Sequence, residues 1–331
     1  MDGLALRVSL GAGPFVTEIH CLSTEKRRGL SMVKSLDQIK ERIAWFQKER
    51  PHYREILDLY GHIVEEQMKI LPLLKISVPE VSKKLVKSRW ENGLPLLGRE
   101  RFALDLEGAQ RLFYAISAVG QRVTPKMGDE IPRITEAIET GELDLGELLS
   151  KHFDGLHIAH EAERCGLDRG ILVFLVQASI KPSVIVQTEQ LRSALDLEGW
   201  LKGECPLCGS APQMALLRDE GGKRYLQCSF CGCQWRWERI ACPSCNNKDL
   251  NSLHYFYAEE EEAYRVDLCD QCKGYIKTVD SRKLDYEPLI DLEDIVTIHL
   301  DILAMEKGYR RFAPTPWGPL PLPEGGRVGT A

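Results

Sequence analysis

The sequence predicts an α+β chain: an all-α N-terminal domain, then tandem rubredoxin-like or zinc-ribbon-like β modules, then a C-terminal helix. Three observations carry this. Apolar residues recur at helical spacing from about 33 to 196. Eight of the eleven cysteines fall into four Cys-x-x-Cys knuckles between 205 and 272. Residues 291–307 return to a helical period, with Ile295, Ile298, Ile302 and Met305 on one face and Gly308 as the stop. The expected divisions are a disordered extension over 1–31, a helical domain over 32–196, a four-cysteine metal-ribbon domain over 197–288, the C-terminal helix over 289–312, and a flexible Pro-rich tail over 313–331.

In the helical domain, Ser35 and Gln38 form a capping box ahead of the stripe Leu36, Ile39, Ile43 and Phe46. Pro51 suits the first turn of a second helix that carries Tyr53, Ile56, Tyr60 and Ile63. Asp105 caps a third helix, bearing Leu112, Phe113, Ile116 and Val119 and ending at Gly120. Helical stretches follow near 130–140 and 145–165. An apolar helix over 169–180 is expected to stop before Pro182, and a short helix ends near Trp200.

The metal region is a duplication. Cys205 and Cys208 map onto Cys242 and Cys245 at an offset of 37, and Cys228 and Cys231 onto Cys269 and Cys272 at 41. Nineteen residues separate the first two knuckles and twenty-three the last two, enough for a β-hairpin that runs out and back. Strands are expected at 213–218, 223–228 and 233–238, and again at 252–257, 263–268 and 274–279. Each half also places an arginine, Arg224 or Arg265, four residues before its returning knuckle. Two sulfurs per knuckle and two knuckles per site make a tetrahedral thiolate set for zinc or iron. Sequential pairing groups Cys205, Cys208, Cys228 and Cys231 on one ion and Cys242, Cys245, Cys269 and Cys272 on the other. Exchange of knuckles is the alternative arrangement. Gly209 and Gly232 follow the first two knuckles, where Asn246 and Lys273 stand after the others.

Composition narrows the function classes. The net charge is −6, and residues 200–288 hold twelve Lys and Arg against fourteen Asp and Glu. A ribbon that wraps a phosphate backbone needs a basic face, so nucleic acid is not expected as a partner. Reduced thiolates point to the cytoplasm. No membrane insertion is expected, because no stretch reads as twenty apolar residues. Arg27-Arg28 is followed by charged residues rather than an apolar core, against export. G-x-S-x-G, Walker and dinucleotide motifs are all missing, so the chain does not read as an enzyme.

Other residues read more plainly. Cys233 suits a buried small residue beside the first site, and Cys21 and Cys165 are isolated. His157, His160 and Glu161 lack the second His of a zinc-protease helix, Arg164 standing in its place. Trp235 and Trp237 alternate on a strand and are expected to pack against the helical domain. The run Glu259–Glu262 reads as a solvated turn.

These features together resemble the formate dehydrogenase accessory protein family (FdhE). The resemblance spans about 33–312 and is most specific in Gln177-Ala-Ser-Ile-Lys-Pro182, Trp200-Leu-Lys-Gly-Glu-Cys205-Pro-Leu-Cys208-Gly, Arg239-Ile-Ala-Cys242, Cys269-Asp-Gln-Cys272-Lys-Gly-Tyr and Asp294-Ile-Val-Thr-Ile-His-Leu-Asp301. It implies a cytoplasmic assembly factor that binds the catalytic subunit of respiratory formate dehydrogenase. It also implies two metal ions, rubredoxin-like iron being the family's, on the eight knuckle cysteines. The family lends no support to residues 1–31 or to the Pro-rich tail.

Overall fold

The computed structural model describes residues 35–153, 158–193, 197–315 and 317. Cys21, His157 and most of the Pro-rich tail lie outside these residues, as does the whole 1–31 extension.

The helical part comprises α1 (Leu36–Glu49), α2 (Arg54–Ile70), α3 (Lys83–Glu91), α4 (Leu106–Val123), α5 (Pro125–Glu139), α6 (Leu145–Phe153), α7 (Ala159–Arg164) and α8 (Arg169–Arg192). The capping box is present: Ser35 Oγ accepts the Gln38 N–H at 3.2 Å, and Gln38 Oε1 accepts the Ser35 N–H at 3.1 Å. Asp105 caps α4 by accepting the Gly108 N–H at 2.9 Å. That helix runs three residues beyond the Gly120 stop that the sequence suggests. The stretch near Trp200 is only a short 3-10 turn, Leu197–Gly199. The polar helix α3 buries none of its residues and gives no apolar stripe in the sequence.

The larger departure is α8, which continues through Pro182. A proline has no N–H to give the carbonyl four residues back. Here that carbonyl belongs to Ala178, and Gln67 of α2 donates to it through Nε2 at 2.8 Å. The neighbouring helix thus supplies the missing donor. By length and composition α8 is apolar enough to span a membrane, yet two-thirds of its most apolar window is buried inside the protein. It is the axis of the core. Leu172, Leu175 and Val176 pack in one cluster with Phe113 and Ile116 of α4 and Ile131 and Ile134 of α5.

The strands are β1 (Pro212–Arg218), β2 (Lys223–Cys228), β3 (Gln234–Trp237), β4 (Leu253–Phe256), β5 (Tyr264–Cys269), β6 (Gly274–Asp280) and β7 (Arg310–Arg311). Each cysteine-rich half is a three-stranded antiparallel meander, as the duplication suggests. The two meanders are not separate ribbons, however. Their inner strands β1 and β6 pair in parallel, Met214 with Lys277 through Leu217 with Asp280, giving one mixed sheet in the order β3-β2-β1-β6-β5-β4. The short β7 pairs with the start of β6.

Alternation along the strands divides the burial. One face carries Met214, Leu216, Val266, Tyr275 and Val279 against the C-terminal helices. The other carries Ala215, Leu226, Trp235, Trp237 and Ile276, which join the helical core. Trp235 and Trp237 therefore serve packing, each indole N–H donating to a backbone carbonyl, of Lys202 and Ala241 respectively.

The C-terminal helical stretch is two helices, α9 (Ile290–Ile295) and α10 (Ile298–Glu306), where periodicity suggests one. The break has a cause in the sheet. Lys277 is buried on β6 and donates to the carbonyls of Asp294 and Thr297 at 2.8 and 3.3 Å, taking acceptors that an unbroken helix would use internally. The same ammonium pairs with Asp294 at 2.8 Å and Asp301 at 2.6 Å, and Arg311 closes the group on both carboxylates. Two cations thus face two anions; Lys277, Asp294 and Asp301 are buried, and the Arg311 side chain is 6% exposed. Burial works against ionisation of Asp294, but Arg311 and Lys277 hold its carboxyl well below the usual range.

Candidate metal centre

The second and fourth knuckles are the turns between β2 and β3 and between β5 and β6, and the first and third lie ahead of β1 and β4. The residue after each second cysteine has a left-handed backbone, with φ of 75° at Gly209, 70° at Gly232, 56° at Asn246 and 53° at Lys273. Glycine adopts this conformation without strain, asparagine with little, and lysine at a cost. In the first three knuckles the N–H of that residue donates to the carbonyl of the first cysteine, at 2.9, 3.2 and 2.9 Å.

The structure collects the eight sulfurs into two groups in the sequential arrangement: Cys205, Cys208, Cys228 and Cys231, then Cys242, Cys245, Cys269 and Cys272. Within each group all Sγ atoms lie within 4.8 Å of one another. Separations in the first group are 3.5 Å for Cys205 and Cys231, 3.4 Å for Cys208 and Cys228, and 3.6 Å for Cys208 and Cys231. In the second they are 3.6 Å for Cys242 and Cys272 and 3.6 Å for Cys245 and Cys269. A disulfide needs about 2.05 Å. A tetrahedron of sulfurs at about 2.3 Å from a central cation has edges of about 3.8 Å. The spacings fit a cation-sized cage and not a cross-link.

Backbone amides already point at the sulfurs. Leu207 N–H donates to Cys205 Sγ, and the Phe230 and Cys231 N–H groups donate to Cys228 Sγ, all at 3.4 Å. In the second group the Asn247 side-chain amide donates to Cys269 Sγ at 3.5 Å. Such contacts favour thiolate over thiol. Without a cation, burial pushes the Cys205 and Cys231 thiols well up. Burial also opposes the Cys269 thiolate, but the Cys272 N–H and the Asn247 amide hold it at about 7, whereas burial lifts Cys272 to about 11. A bound cation would let all four ionise, the chemistry this donor set is built for.

The two cages sit in different surroundings. All four cysteines of the first are buried, within the cluster that includes the helical core. Leu96 and Leu97 N–H groups donate to the Pro206 and Leu207 carbonyls, each at 2.8 Å, stitching the helical part to the first knuckle. Phe230 of the second knuckle packs edge-on against Phe102 and Phe153, with ring centroids 5.6 and 5.7 Å apart. In the second cage Cys245 and Cys272 are half-buried.

The remaining candidates do not join a cage. Cys233 is buried beside the first, and Cys165 is half-buried far from either in sequence. His160 is exposed, and Glu161 pairs with Lys151 at 2.6 Å. The acidic run is not merely solvated: Glu261 pairs with Arg50 at 2.7 Å and with His299 Nε2 at 2.9 Å, and Glu262 with Lys283 at 2.8 Å. Tyr53 Oη lies 2.8 Å from the other His299 nitrogen, completing a chain that sequence spacing does not reveal.

Residues 204–239 match the family model described as FdhE, central domain, and 240–317 match that described as FdhE, C-terminal domain. The boundary falls between the cages. A protein named Protein FdhE homolog from Aquifex aeolicus (strain VF5) is 28% identical over 272 residues, 81% of this chain and 90% of the relative. One of the same name from Stutzerimonas stutzeri (strain A1501) is 36% identical over 118 residues, 33% of this chain and 36% of its own. The crystal structure of the FdhE protein from Pseudomonas aeruginosa has the same fold, with a TM-score of 0.58 at 22% identity, covering 85% of this chain and 95% of that one.

Proposed function

The chain belongs to the FdhE family, and from that premise we propose that it is a non-enzymatic maturation factor that binds the catalytic subunit of formate dehydrogenase in the cytoplasm. The observation that carries the reading is the pair of closed cages. Each holds four sulfurs and, among the described residues, no histidine or carboxylate. A four-thiolate site leaves no position for a substrate, which suits a scaffold or an electron store better than a catalyst. Cys205, Cys208, Cys228 and Cys231 would hold one cation, and Cys242, Cys245, Cys269 and Cys272 the other. When bound, either zinc or iron supplies a rigid crosslink, and iron adds a one-electron couple.

The chain's own part is to hold a surface in shape while an immature oxidoreductase subunit engages it. Acidic charge around the knuckles counts against the rival reading, a zinc-ribbon nucleic-acid binder. The test is affinity purification of the tagged chain from its native cytoplasm, grown with formate and without oxygen, with bound proteins identified by mass spectrometry. A formate dehydrogenase catalytic subunit is the expected partner. RNA polymerase or ribosomal proteins in its place would overturn the reading.

A further inference from the structure

The duplicated arginines belong to neither cage, yet the fold brings them together. Arg224 on β2 and Arg265 on β5 lie on the face of the sheet that joins the helical core, Arg224 buried and Arg265 half-buried. Both converge on one carboxylate. Arg224 Nη2 lies 3.1 Å from Asp267 Oδ2, Arg265 Nε lies 2.9 Å from Oδ1, and Thr278 donates to Oδ2 at 2.6 Å. Arg224 also donates to the Ala241 carbonyl at 3.1 Å, and its buried Nε has no hydrogen-bond partner. With Arg239, three residues ahead of the third knuckle and donating to the Gly221 carbonyl at 3.1 Å, they border an open cleft of about 320 Å³.

Arg224 is buried against Asp267, and the Cys242 and Cys269 sulfurs of the second cage line the same cleft, so the charges that face solvent are those of the exposed Arg239 and the half-buried Arg265. The rim is apolar and exposed: Ile240 at 55% and Tyr255 at 60%, with Arg265 5.0 Å above the Tyr255 ring. One wall is β4, which has no strand on its outer side among the described residues. Charge balance for the neighbouring thiolates would account for a buried arginine. It does not require an open mouth with an exposed aromatic rim beside a free strand edge.

We propose that this cleft docks an acidic, extended segment of a partner polypeptide, laid along the free edge of β4 with a carboxylate set between Arg239 and Arg265. Main-chain hydrogen bonds to β4 would give the segment its register. Alternate side chains, about 7 Å apart, would face the cleft. Arginine suits the role because its fork pairs with both oxygens of a carboxylate. The proposal rests on the assembly-factor reading only in supposing a protein partner.

The test titrates full-length, metal-loaded protein with acetyl-Leu-Glu-Leu-Glu-Leu-amide, its Gln counterpart, and inorganic phosphate, by calorimetry. The Glu peptide should bind at least tenfold more tightly than the Gln peptide, and more weakly as salt rises. R265Q should cost at least tenfold while both metals stay bound, and R239Q, at an exposed position, should do the same. Equal binding of the two peptides would overturn the proposal, and so would phosphate binding with no peptide binding. Loss of metal from the second cage in either variant would also overturn it, since the arginines would then serve the thiolates. If the peptides fail while the dehydrogenase subunit still co-purifies, the cleft is refuted and the function is not.

Discussion

The two cages use the same four sulfurs in the same knuckle geometry, yet they bear on different parts of the molecule. The first is wholly buried and hydrogen-bonded to the helical part through Leu96 and Leu97. The second is half-buried, bordered by an arginine-lined cleft and by β4, the edge strand of the sheet among the described residues. Glycine follows both knuckles of the first cage, while asparagine and lysine follow those of the second. The two halves repeat the ligands, and their surroundings differ. The first cage is packed between the helical part and the sheet, and the second borders a cleft.

The largest expected effect breaks that contrast most sharply. Cys208→Ser removes a ligand from the cage whose first knuckle is hydrogen-bonded to the helical part, so cooperative unfolding of the whole chain should suffer by several kcal/mol. Cys245→Ser should lose its metal but keep the near-native helical content and most of the thermal midpoint. Circular dichroism with metal analysis checks both, and equal destabilisation would erase the distinction.

Next in size is the buried quartet that anchors the C-terminal helices to β6. Lys277→Met leaves Asp294 and Asp301 with only Arg311 between them, and should cost about 3–5 kcal/mol in denaturant unfolding. If the contrast is right, metal binding at the first cage should survive this change.

A pH effect follows from Glu293, which is fully buried and accepts a hydrogen bond from Tyr264 at 2.7 Å. Burial lifts its pKa to about 7 from an ordinary 4.5. The folded state therefore binds the proton more tightly than the unfolded one. Its contribution is fully present below 4.5 and is lost as pH rises through 7. Glu293→Gln should leave stability at pH 4.5 nearly unchanged and raise it at pH 8, by at most about 3 kcal/mol. Urea midpoints at the two pH values read this directly.

The smallest effects separate the cages through their turns. Gly209→Ala places a methyl on a φ of 75° with Pro95 Cγ 3.2 Å away, and should cost about 1–2 kcal/mol. Asn246→Gly, at an exposed position with φ of 56°, should gain about 0.5 kcal/mol. Thermal midpoints moving in the same direction would contradict the turn account.

Much of this architecture was legible because it is local. Ser35 and Gln38 cap α1, the six main strands fall within two residues of their expected bounds, and the knuckle spacing places the hairpins. What was not legible depends on partners distant in the chain. Pro182 stops no helix because Gln67, over a hundred residues away, donates to Ala178. The break before Ile298 exists because Lys277 takes the carbonyls there, and a lysine in a strand reads as exposed until its two aspartates are seen. The parallel seam between β1 and β6 leaves no trace in either meander alone. Glu261 pairs with Arg50 and His299, and an acidic turn by itself announces neither partner.

The most direct test of the central contrast is graded chelation of metal-loaded protein, followed by hydrogen exchange resolved to single amides. The second cage should release its metal first, raising exchange in β4 and β5 while the Leu96 and Leu97 amides stay protected. Their protection should collapse only when the first cage empties. Loss of protection at Leu96 and Leu97 on the first release, or simultaneous release from both cages, would contradict the division between a cage packed against the helical part and a cage beside the cleft.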